Sequence, residues 1–380
     1  MKKILIIHNQ YRNTGGEDIA VSNEISLLKK HYVVESLFFT NQKVKLLPTF
    51  FGFVISSNFK SNKILKKKLK KFKPDIVYVH NTWFNASLGI FKILKANKIK
   101  TIIKLHNFRY KCTNSFFSKV HMNGESLCYA CGLQKKEMGL FNKYFLNSIT
   151  KSLLVNLYGK RYFKILEDPY FNIFVLTKFH KNFINQLIPN AKVKIFPNFI
   201  TLQNHKSRKN IEEYFLYAGR ISDEKGVSHL ISSFLEAGLD RYKLKILGAG
   251  PELKTLIQEE HMNVEFLGVK TNQETLDLIS KSLCVITGTK LWEGQPTLLC
   301  EASTFGVPSI FPNFGGMAEF FPDDYKLAFK QYDYEDLTSK IIQSTDVNFN
   351  KKTGLENKEH LNKLLDERNL IGIFGSYFDE

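Results

Sequence analysis

Short apolar runs that end in polar loops recur along the whole chain, and this pattern constrains the fold more than any other feature. Amphipathic stretches such as 18–30 and 87–97 separate the runs. Buried strands that alternate with helices produce this pattern. The runs cover residues 2–9, 33–39, 75–81, 100–107, 172–178, 213–220, 242–250, 263–269, 283–289 and 307–313.

This alternation predicts an α/β protein with parallel strands and with helices on both faces of each sheet. The polar stretch 201–210 has no apolar period and predicts a linker. We therefore expect two doubly wound, Rossmann-like domains facing a cleft, where ligands bind at the carboxyl ends of the strands. The first covers 1–200, with a cysteine-containing insertion at 110–135, and the second covers 201–360. A C-terminal helix at 361–380 is expected to return to the first domain.

The two halves of the chain carry opposite charge. Residues 1–200 contain 34 Lys and Arg against 9 Asp and Glu, whereas residues 201–380 contain 20 against 27. Two domains with different partners explain this asymmetry better than a drift toward Lys, which would enrich both halves. No apolar run reaches the ~18 residues of a transmembrane helix, and the N-terminus does not resemble a signal peptide. We therefore expect a cytoplasmic protein whose five cysteines are reduced.

A candidate anion site follows the first strand of the second half. Arg220 ends that strand, and Lys225 and Gly226 come at the start of the next helix. A guanidinium fork, an ammonium charge and free helix N–H groups together suit a diphosphate. A surface Arg and Lys near a turn is the alternative interpretation of this motif taken alone.

The segment WEGQPTLLCE extends this candidate site. Pro296 is expected in the first helical turn, which would leave the N–H groups of Thr297 and Leu298 free for an anion. Glu301, about one turn further on, could accept two hydrogen bonds from a vicinal diol such as that of ribose. Glu293 would lie nearer a group attached beyond the phosphates. A favourable helix-dipole interaction would explain one glutamate, but not the Gly-Gln-Pro between the two.

These motifs resemble the retaining family 4 glycosyltransferases of the two-Rossmann (GT-B) fold. The likeness runs over 8–316 and rests on GGE after the first strand, on GRISDEKG, on ILGAGP and on the two spaced glutamates, in the family's order. The segments LHNFRYKC and NGESLCYACG are similar to a subgroup associated with bacterial surface polysaccharides such as capsule and O-antigen. The resemblance implies a hexosyltransferase that moves a sugar from a nucleotide-diphosphate sugar to a saccharide acceptor, expected to be lipid-linked.

The resemblance also implies roles for individual residues. Arg220 and Lys225 would hold the donor diphosphate, and Glu301 would hold the ribose hydroxyls. His106 would reach the donor sugar near the reaction centre, although the residue alone fits a strand-end histidine bonded to backbone. The catalytic set is thus His106, Glu293, Arg220 and Lys225. Further donor contacts are implied for Glu293 with the backbone of Gly294, Gln295, Pro296, Thr297 and Leu298, and for Gly15 and Gly16.

Catalysis must stabilise negative charge on the departing diphosphate, and preorganised donors usually supply the largest contribution. The chain contains no Asp-x-Asp metal motif. Because Arg220, Lys225 and helix N-termini can neutralise the diphosphate, no cofactor is expected to be required for catalysis. Retention is compatible with same-face attack, in which a donor phosphate oxygen takes the acceptor proton. It is also compatible with double displacement through Glu293.

Three cysteines fall in the predicted insertion, Cys112, Cys128 and Cys131. A Cys-x-x-Cys pair is half of a tetrahedral zinc site, and His121 or His106 could provide a fourth ligand. A structural zinc is therefore one hypothesis, and reduced cysteines packed in the domain are the other.

Two neighbouring segments suggest membrane contact. Residues 46–55 (LLPTFFGFVI) are apolar, and residues 63–73 (KILKKKLKKFK) contain seven lysines. On a helix Leu65, Leu69 and Phe72 share one face, which with the lysines has the composition of an interfacial anchor. This predicts peripheral binding to the anionic inner face of the plasma membrane. The alternative is that 46–55 packs in the core and the lysines form a solvated helix face.

Other functions are compatible with parts of this sequence. A nucleotide-sugar epimerase or a phosphorylase of the same fold would also bind phosphate at helix N-termini. The basic first half also suggests a nucleic-acid-binding protein. However, the sequence has no complete zinc-finger spacing, RNP-like motif or helix-turn-helix signal, so no nucleic-acid partner is expected.

Overall fold

The computed structural model describes residues 1–10, 16–41, 52, 55–108, 110, 149–201, 211–259 and 261–379. The chain divides into two compact units. Unit 1 comprises Met1–Phe199 and Glu367–Glu380, and unit 2 comprises Ile200–Asp366.

Each unit contains a sheet of six parallel strands. The strands of unit 1 are β1 Lys3–Gln10, β2 Val33–Thr40, β3 Ile76–Val79, β4 Lys100–Lys104, β5 Asn172–Val175 and β6 Lys192–Ile195. Those of unit 2 are β7 Tyr214–Ala218, β8 Lys243–Leu247, β9 Val264–Gly268, β10 Cys284–Ile286, β11 Ser309–Pro312 and β12 Ala328–Phe329.

Helices connect and cover these strands. In chain order they are α1 Gly16–Lys29, α2 Phe59–Phe72, α3 Gly89–Ala96, α4 Ile149–Leu166, α5 Lys178–Leu187, α6 Val227–Glu236, α7 Leu253–Gln258, α8 Asn272–Lys281, α9 Thr297–Thr304, α10 Tyr334–Gln343, α11 Val347–Leu364 and α12 Glu367–Asp379. Two 3-10 turns, Asp223–Lys225 and Met317–Phe320, lie in unit 2.

The central strands are apolar because helices cover both faces of the sheet. Every residue of β3 is fully buried, as is the stretch 4–7 of β1. The C-terminal helix α12 packs Phe374 and Tyr377 against Tyr78 and Phe174 in the core of unit 1.

The order of strands determines where each sheet can bind a ligand. Unit 1 has the order β2-β1-β3-β4-β5-β6, and unit 2 has β12-β11-β10-β7-β8-β9. The connections change direction between β1 and β3 in unit 1 and between β7 and β10 in unit 2. Ligands of open parallel sheets bind at such switch points, beyond the carboxyl ends of the strands. The predicted α/β class with two Rossmann-like parallel sheets is confirmed.

Several local predictions needed correction. The strands β6 and β12 were missed, because β6 is short and only partly buried and β12 has two residues. Helix α9 begins at Thr297, and Pro296 precedes it with φ −81° and ψ 84° instead of lying in the first turn. Among the described residues, no helix is both long and apolar enough to cross a membrane.

The helix α2 also differs from the predicted membrane anchor. Its apolar face, with Leu65, Leu69 and Phe72, is buried in unit 1 and is therefore not available to a membrane. The lysines form the exposed face, as the alternative interpretation expected. Of the apolar segment 46–55, only residues 52 and 55 are among the described residues.

Candidate active site

The switch point of unit 2 brings two loops together. Gly226 lies between a 3-10 turn and α6, with φ +64°, a backbone conformation that favours glycine. A Cβ atom added to Gly226 would overlap the carbonyl oxygen of Gly288. The loop after β7, which carries Arg220 and Lys225, therefore packs directly against the loop after β10.

The glycine-rich loop after β8 fixes the same segment from the other side. Gly248 has φ +130°, and an added Cβ would overlap the carbonyl oxygen of Gly219. The N–H of Ile221 donates to the carbonyl oxygen of Ala249 at 3.0 Å. The glycines of ILGAGP are thus explained by close packing of two loops, which holds the backbone of Arg220 in place.

Both predicted cations form ion pairs in this structure. Arg220 pairs with Glu224, and Lys225 pairs with Glu293. Thr289 Oγ1 also donates to Glu293 Oε1 at 3.2 Å. The structure therefore brings Lys225 and Glu293 together in one ion pair. It also shows that carboxylates of the protein balance both cations, so an incoming diphosphate would have to replace them.

A third cation, Lys290, lies at the same edge and was missed. Its Nζ is 2.7 Å from Asp223 Oδ1, and its backbone N–H donates to the carbonyl oxygen of Glu224 at 2.9 Å. The sequence did contain a signal, because Lys290 follows the end of β10 by four residues and must emerge at the carboxyl edge of the sheet.

The loop before α9 is held by backbone contacts. The carbonyl oxygen of Glu293 accepts a hydrogen bond from the N–H of Gly316 at 2.9 Å. Gly294 and Gln295 are buried, and Thr297 and Leu298 are half-buried at the start of α9. These contacts fix the path of the chain between the two predicted donor-binding glutamates.

Glu301 lies in the second turn of α9 and has an unusual acidity. Removal from solvent raises the pKa of its carboxyl group to about 7. The neutral form of the carboxyl group is therefore populated near neutral pH. A ligand that donates hydrogen bonds to the carboxylate would favour the ionised form and lower this pKa.

At the switch point of unit 1, three neighbouring strands carry the same dipeptide at or just beyond their carboxyl ends. His-Asn lies at the end of β1 and shortly after β3 and β4, and it places His8, His80 and His106 along one edge. The rings of His80 and His106 stack with centroids 5.3 Å apart, and those of His8 and His80 are 6.1 Å apart, edge to face. Only His106 was predicted. The repeated dipeptide was the signal for the other two.

A buried ion pair lies beneath these histidines. Glu24 and Lys104 are in contact, and Tyr78 donates its hydroxyl to Glu24 Oε2 at 2.9 Å. Burial lowers the pKa of His80 and of His106 well below the usual range, and the Lys104 charge adds to the effect. Both rings are therefore neutral at physiological pH.

The arrangement favours one tautomer of each ring. His80 Nδ1 and His106 Nε2 are 3.0 Å apart, so one of the two must donate. His80 Nε2 forms no hydrogen bond with the described residues, but at 3.9 Å from Glu24 Oε2 a proton on that nitrogen is electrostatically more favourable than a lone pair. His80 Nδ1 then accepts from His106 Nε2–H, and Nδ1 of His106 remains an acceptor. His106 is thus hydrogen-bonded to His80, not to backbone as the alternative interpretation supposed.

The first turn of α1 lies close to this edge. His8 Nε2 and Asp18 Oδ1 are 2.8 Å apart, which ties α1 to the end of β1. Gly16 begins α1, and an added Cβ would have no neighbour within 4 Å. Packing within the described residues does not require glycine there, and donor binding by Gly16 remains a prediction.

Several predicted site residues lie outside the described residues. They are Gly15, Cys112, His121, Cys128 and Cys131. Within the described part of the chain, no group of three or more His, Cys, Asp or Glu side chains could hold a metal ion. The structural zinc remains a prediction.

Part of the chain matches a known protein family, and a longer stretch of it is similar to a known enzyme. Residues 200–354 match the family described as glycosyl transferases group 1. The amylovoran biosynthesis glycosyltransferase AmsD of Erwinia amylovora is 23% identical over 337 residues, which is 85% of each chain.

Two solved structures illustrate the likeness of fold. Sucrose-phosphate synthase of Thermosynechococcus elongatus has a TM-score of 0.70 at 13% identity and covers 100% of this chain and 98% of its own. HepE of Anabaena, solved with UDP and glucose, has a TM-score of 0.64 at 15% identity, with 100% of both chains covered.

The paired Rossmann-like sheets and these structural neighbours define the GT-B class of fold. Within that class, residues 200–354 match the group 1 glycosyl transferases and the chain is similar to AmsD over 337 residues, which identifies a glycosyltransferase.

Proposed function

We propose that this glycosyltransferase moves a sugar from a nucleotide-diphosphate sugar to a saccharide acceptor, with retention, in the biosynthesis of a bacterial surface polysaccharide. The observation that carries the proposal is the set of cations at the switch point of unit 2. Similarity to AmsD, a polysaccharide-biosynthesis enzyme, supports the acceptor class. HepE, a neighbour in fold, was solved with UDP and glucose, which supports the donor class.

The first step is capture of the donor diphosphate. Arg220 and Lys225 exchange their carboxylate partners Glu224 and Glu293 for phosphate oxygens, to which Arg offers two parallel hydrogen bonds. The N–H groups at the start of α9 add partial positive charge. This compensation builds up where the leaving group becomes negative, so catalysis proceeds without a metal ion.

The second element is recognition of the ribose and the sugar. Glu301 accepts hydrogen bonds from the ribose hydroxyls, a role for which its half-buried carboxyl is suited because the ionised form gains from such donors. Glu293, released from Lys225, holds the donor sugar together with the backbone of Gly294. His106, with Nδ1 free to accept, orients a hydroxyl of the same sugar.

Retention follows from attack on the face that the leaving group occupies. The acceptor hydroxyl bonds to the anomeric carbon as the bond to the diphosphate breaks, and a phosphate oxygen takes the hydroxyl proton. Double displacement would require Glu293 to act as nucleophile. The hydrogen bond from Thr289 remains after Lys225 has moved to the diphosphate and reduces the nucleophilicity of Glu293, which favours same-face attack.

The division of roles between the glutamates tests this proposal. Glu301→Ala should weaken donor binding at least tenfold with a smaller effect on the single-turnover rate, because its contacts are to the ribose. Glu293→Ala should mainly lower the single-turnover rate. Donor affinity by calorimetry and the rate by rapid quench measure the two separately.

Equal effects of both substitutions on both quantities would contradict these roles. Incubation of wild-type enzyme with donor alone provides a second check. Rearrangement of the donor at the rate of transfer, without acceptor, would identify an epimerase instead. Inversion at the anomeric carbon of the product would contradict retention.

We further propose that the acceptor is lipid-linked and that unit 1 meets the inner face of the plasma membrane. The support is the charge of residues 1–200 and the exposed lysines of α2, each contributing about 1 kcal/mol near an anionic leaflet. Sedimentation with vesicles should require anionic lipid, weaken with salt and fall when Lys66, Lys67, Lys70 and Lys71 are changed to Glu. No sedimentation at low salt would favour a soluble acceptor.

A further inference from the structure

A groove of about 470 Å³ lies between the N-terminal halves of α2 and α3. Four lysines line it, three from α2 and one from α3: Lys63, Lys66, Lys67 and Lys92. Asn62 and Gly89 also line the groove, and no carboxylate is among its lining residues within the described part of the chain. The groove is therefore strongly cationic.

Helix periodicity explains why these lysines converge. Phe59, Asn62, Lys63, Lys66 and Lys67 follow the pattern i, i+3, i+4, i+7, i+8, so they form one stripe along α2. The buried face of the same helix, with Leu65 and Leu69, packs into unit 1 and fixes the direction of the stripe. The stripe therefore faces α3.

The lysines of the groove differ from their neighbour Lys68. Lys68 pairs with Glu35 on β2. Within the described residues, Lys63, Lys66, Lys67 and Lys92 form no ion pair. This accumulation of like charge is unfavourable without a counter-ion, so it predicts an anionic ligand.

The rim of the groove is apolar and exposed. Phe59 is 79% exposed and Ile55 is 47% exposed. Both line the groove. A free anion gains nothing from such side chains, whereas a phosphate carried on an acyl or prenyl chain would place its apolar part against them.

The place of the groove in the fold connects it with the reaction. Helix α2 joins β2 to β3 and α3 joins β3 to β4, and because these strands are parallel, the N-termini of both helices lie at the carboxyl edge of the sheet. His8, His80 and His106 lie at that same edge. A hydrogen bond connects α2 with the loop after β3, because Ser61 Oγ donates to the carbonyl oxygen of Asn85.

We propose that this groove binds the phosphate group of a lipid. The four lysines hold the phosphate, and Phe59 and Ile55 contact the beginning of the lipid chain. The inference rests on the proposed function in one respect, since a lipid-linked acceptor would bring a phosphate to this edge. It goes beyond that proposal by assigning a defined site instead of a diffuse attraction between charges.

Binding of a water-soluble lipid phosphate tests the site without any transfer reaction. The probe is dihexanoyl phosphatidic acid below its micelle concentration, titrated calorimetrically into the full-length protein. The double variant K66A/K92A should weaken binding at least tenfold. The control K70A/K71A removes the same charge from exposed residues further along α2, outside the groove, and should change binding less than twofold. Thermal unfolding of both variants confirms that they fold.

Two further measurements decide the chemistry of the ligand. F59S should weaken binding of the lipid phosphate severalfold and leave binding of inorganic phosphate unchanged. Equal losses in the two double variants would show diffuse attraction and overturn the site. Inorganic phosphate binding as tightly as the lipid would identify a free-phosphate site and overturn the lipid. Donor affinity, measured in the same variants, should be unchanged, which separates failure of this inference from failure of the proposed function.

Discussion

Both units carry polar groups at the switch point of a parallel sheet, but the ion pair of unit 1 is buried and those of unit 2 are partly exposed. At the switch point of unit 1, the neutral imidazoles of His80 and His106 lie over a fully buried ion pair between Glu24 and Lys104. At the switch point of unit 2, Lys225 and Glu293 are each about a quarter exposed, and Arg220 is more than half exposed.

The difference in burial determines which ion pair stabilises the fold and which one can exchange a partner for a ligand. A buried ion pair is costly to disturb, because removal of one partner leaves a charge without solvent. A half-exposed ion pair contributes little to stability, because solvent can take the place of either partner. The cations of unit 2 are therefore suited to the proposed exchange of a carboxylate for a phosphate, while the pair in unit 1 is a fixed part of the core beneath His80.

The largest change in the free energy of unfolding is expected from substitution of Glu24. Glu24→Ala should lower the free energy of unfolding by roughly 3–5 kcal/mol, because Lys104 is left buried without a partner. Chemical denaturation, with hydrogen exchange followed on β1–β6, measures the loss. The double variant E24L/K104M should recover most of it. A loss below about 1 kcal/mol would show that the pair is not held as described.

The cations of unit 2 should show the reverse behaviour. Arg220→Ala and Lys225→Ala should each lower turnover roughly 100-fold or more, the scale for loss of a charge stabiliser in a transition state. Unfolding should change by less than about 1 kcal/mol. Steady-state kinetics and denaturation on the same samples give both numbers. Near-normal turnover in both variants would place the donor site elsewhere.

The loop contact at Gly226 can be examined with a matched pair of glycines. Gly226 and Gly238 have φ +64° and +63°, but only Gly226 has another residue where a Cβ would go. Gly238→Ala should cost roughly 1 kcal/mol from its backbone conformation alone. Gly226→Ala should cost more and should also weaken donor binding, because the loop that carries Lys225 must move. Equal stability losses and unchanged donor affinity would contradict the loop packing.

The smallest effect is expected from the titration of Glu301. Its pKa is about 7 in the folded protein and 4.5 as an ordinary glutamate, so the folded state binds more protons between these values. Stability without donor should therefore fall as pH rises through this range. Donor affinity should rise by up to about tenfold between pH 6 and 8, as the carboxylate becomes ionised.

A nucleotide-diphosphate sugar suits this measurement, because its diphosphate does not titrate in this range. His106 does not contribute, since its pKa is lowered well below the window. The control Glu301→Gln should bind donor weakly and without pH dependence. An unchanged slope in that variant would assign the titration to another group.

The sequence alone determined the class of fold and the position in that fold of the residues predicted to bind the donor. Alternation of apolar runs and amphipathic stretches specifies parallel strands and helices, because burial on both faces requires uninterrupted apolar segments. It also placed Arg220, Lys225, Glu293 and Glu301 at the ends of strands and the start of a helix, since local order along the chain determines these positions.

Contacts between distant segments were decided only by tertiary structure. The partners of the cations, the third cation Lys290 and the support of His106 by His80 all join segments far apart in the chain. The apolar face of α2 that was predicted to contact a membrane, with Leu65, Leu69 and Phe72, is instead buried in the core of unit 1. Periodicity shows that a helix has an apolar face, but what covers that face, and which charges lose their water, depends on the packing of the whole unit.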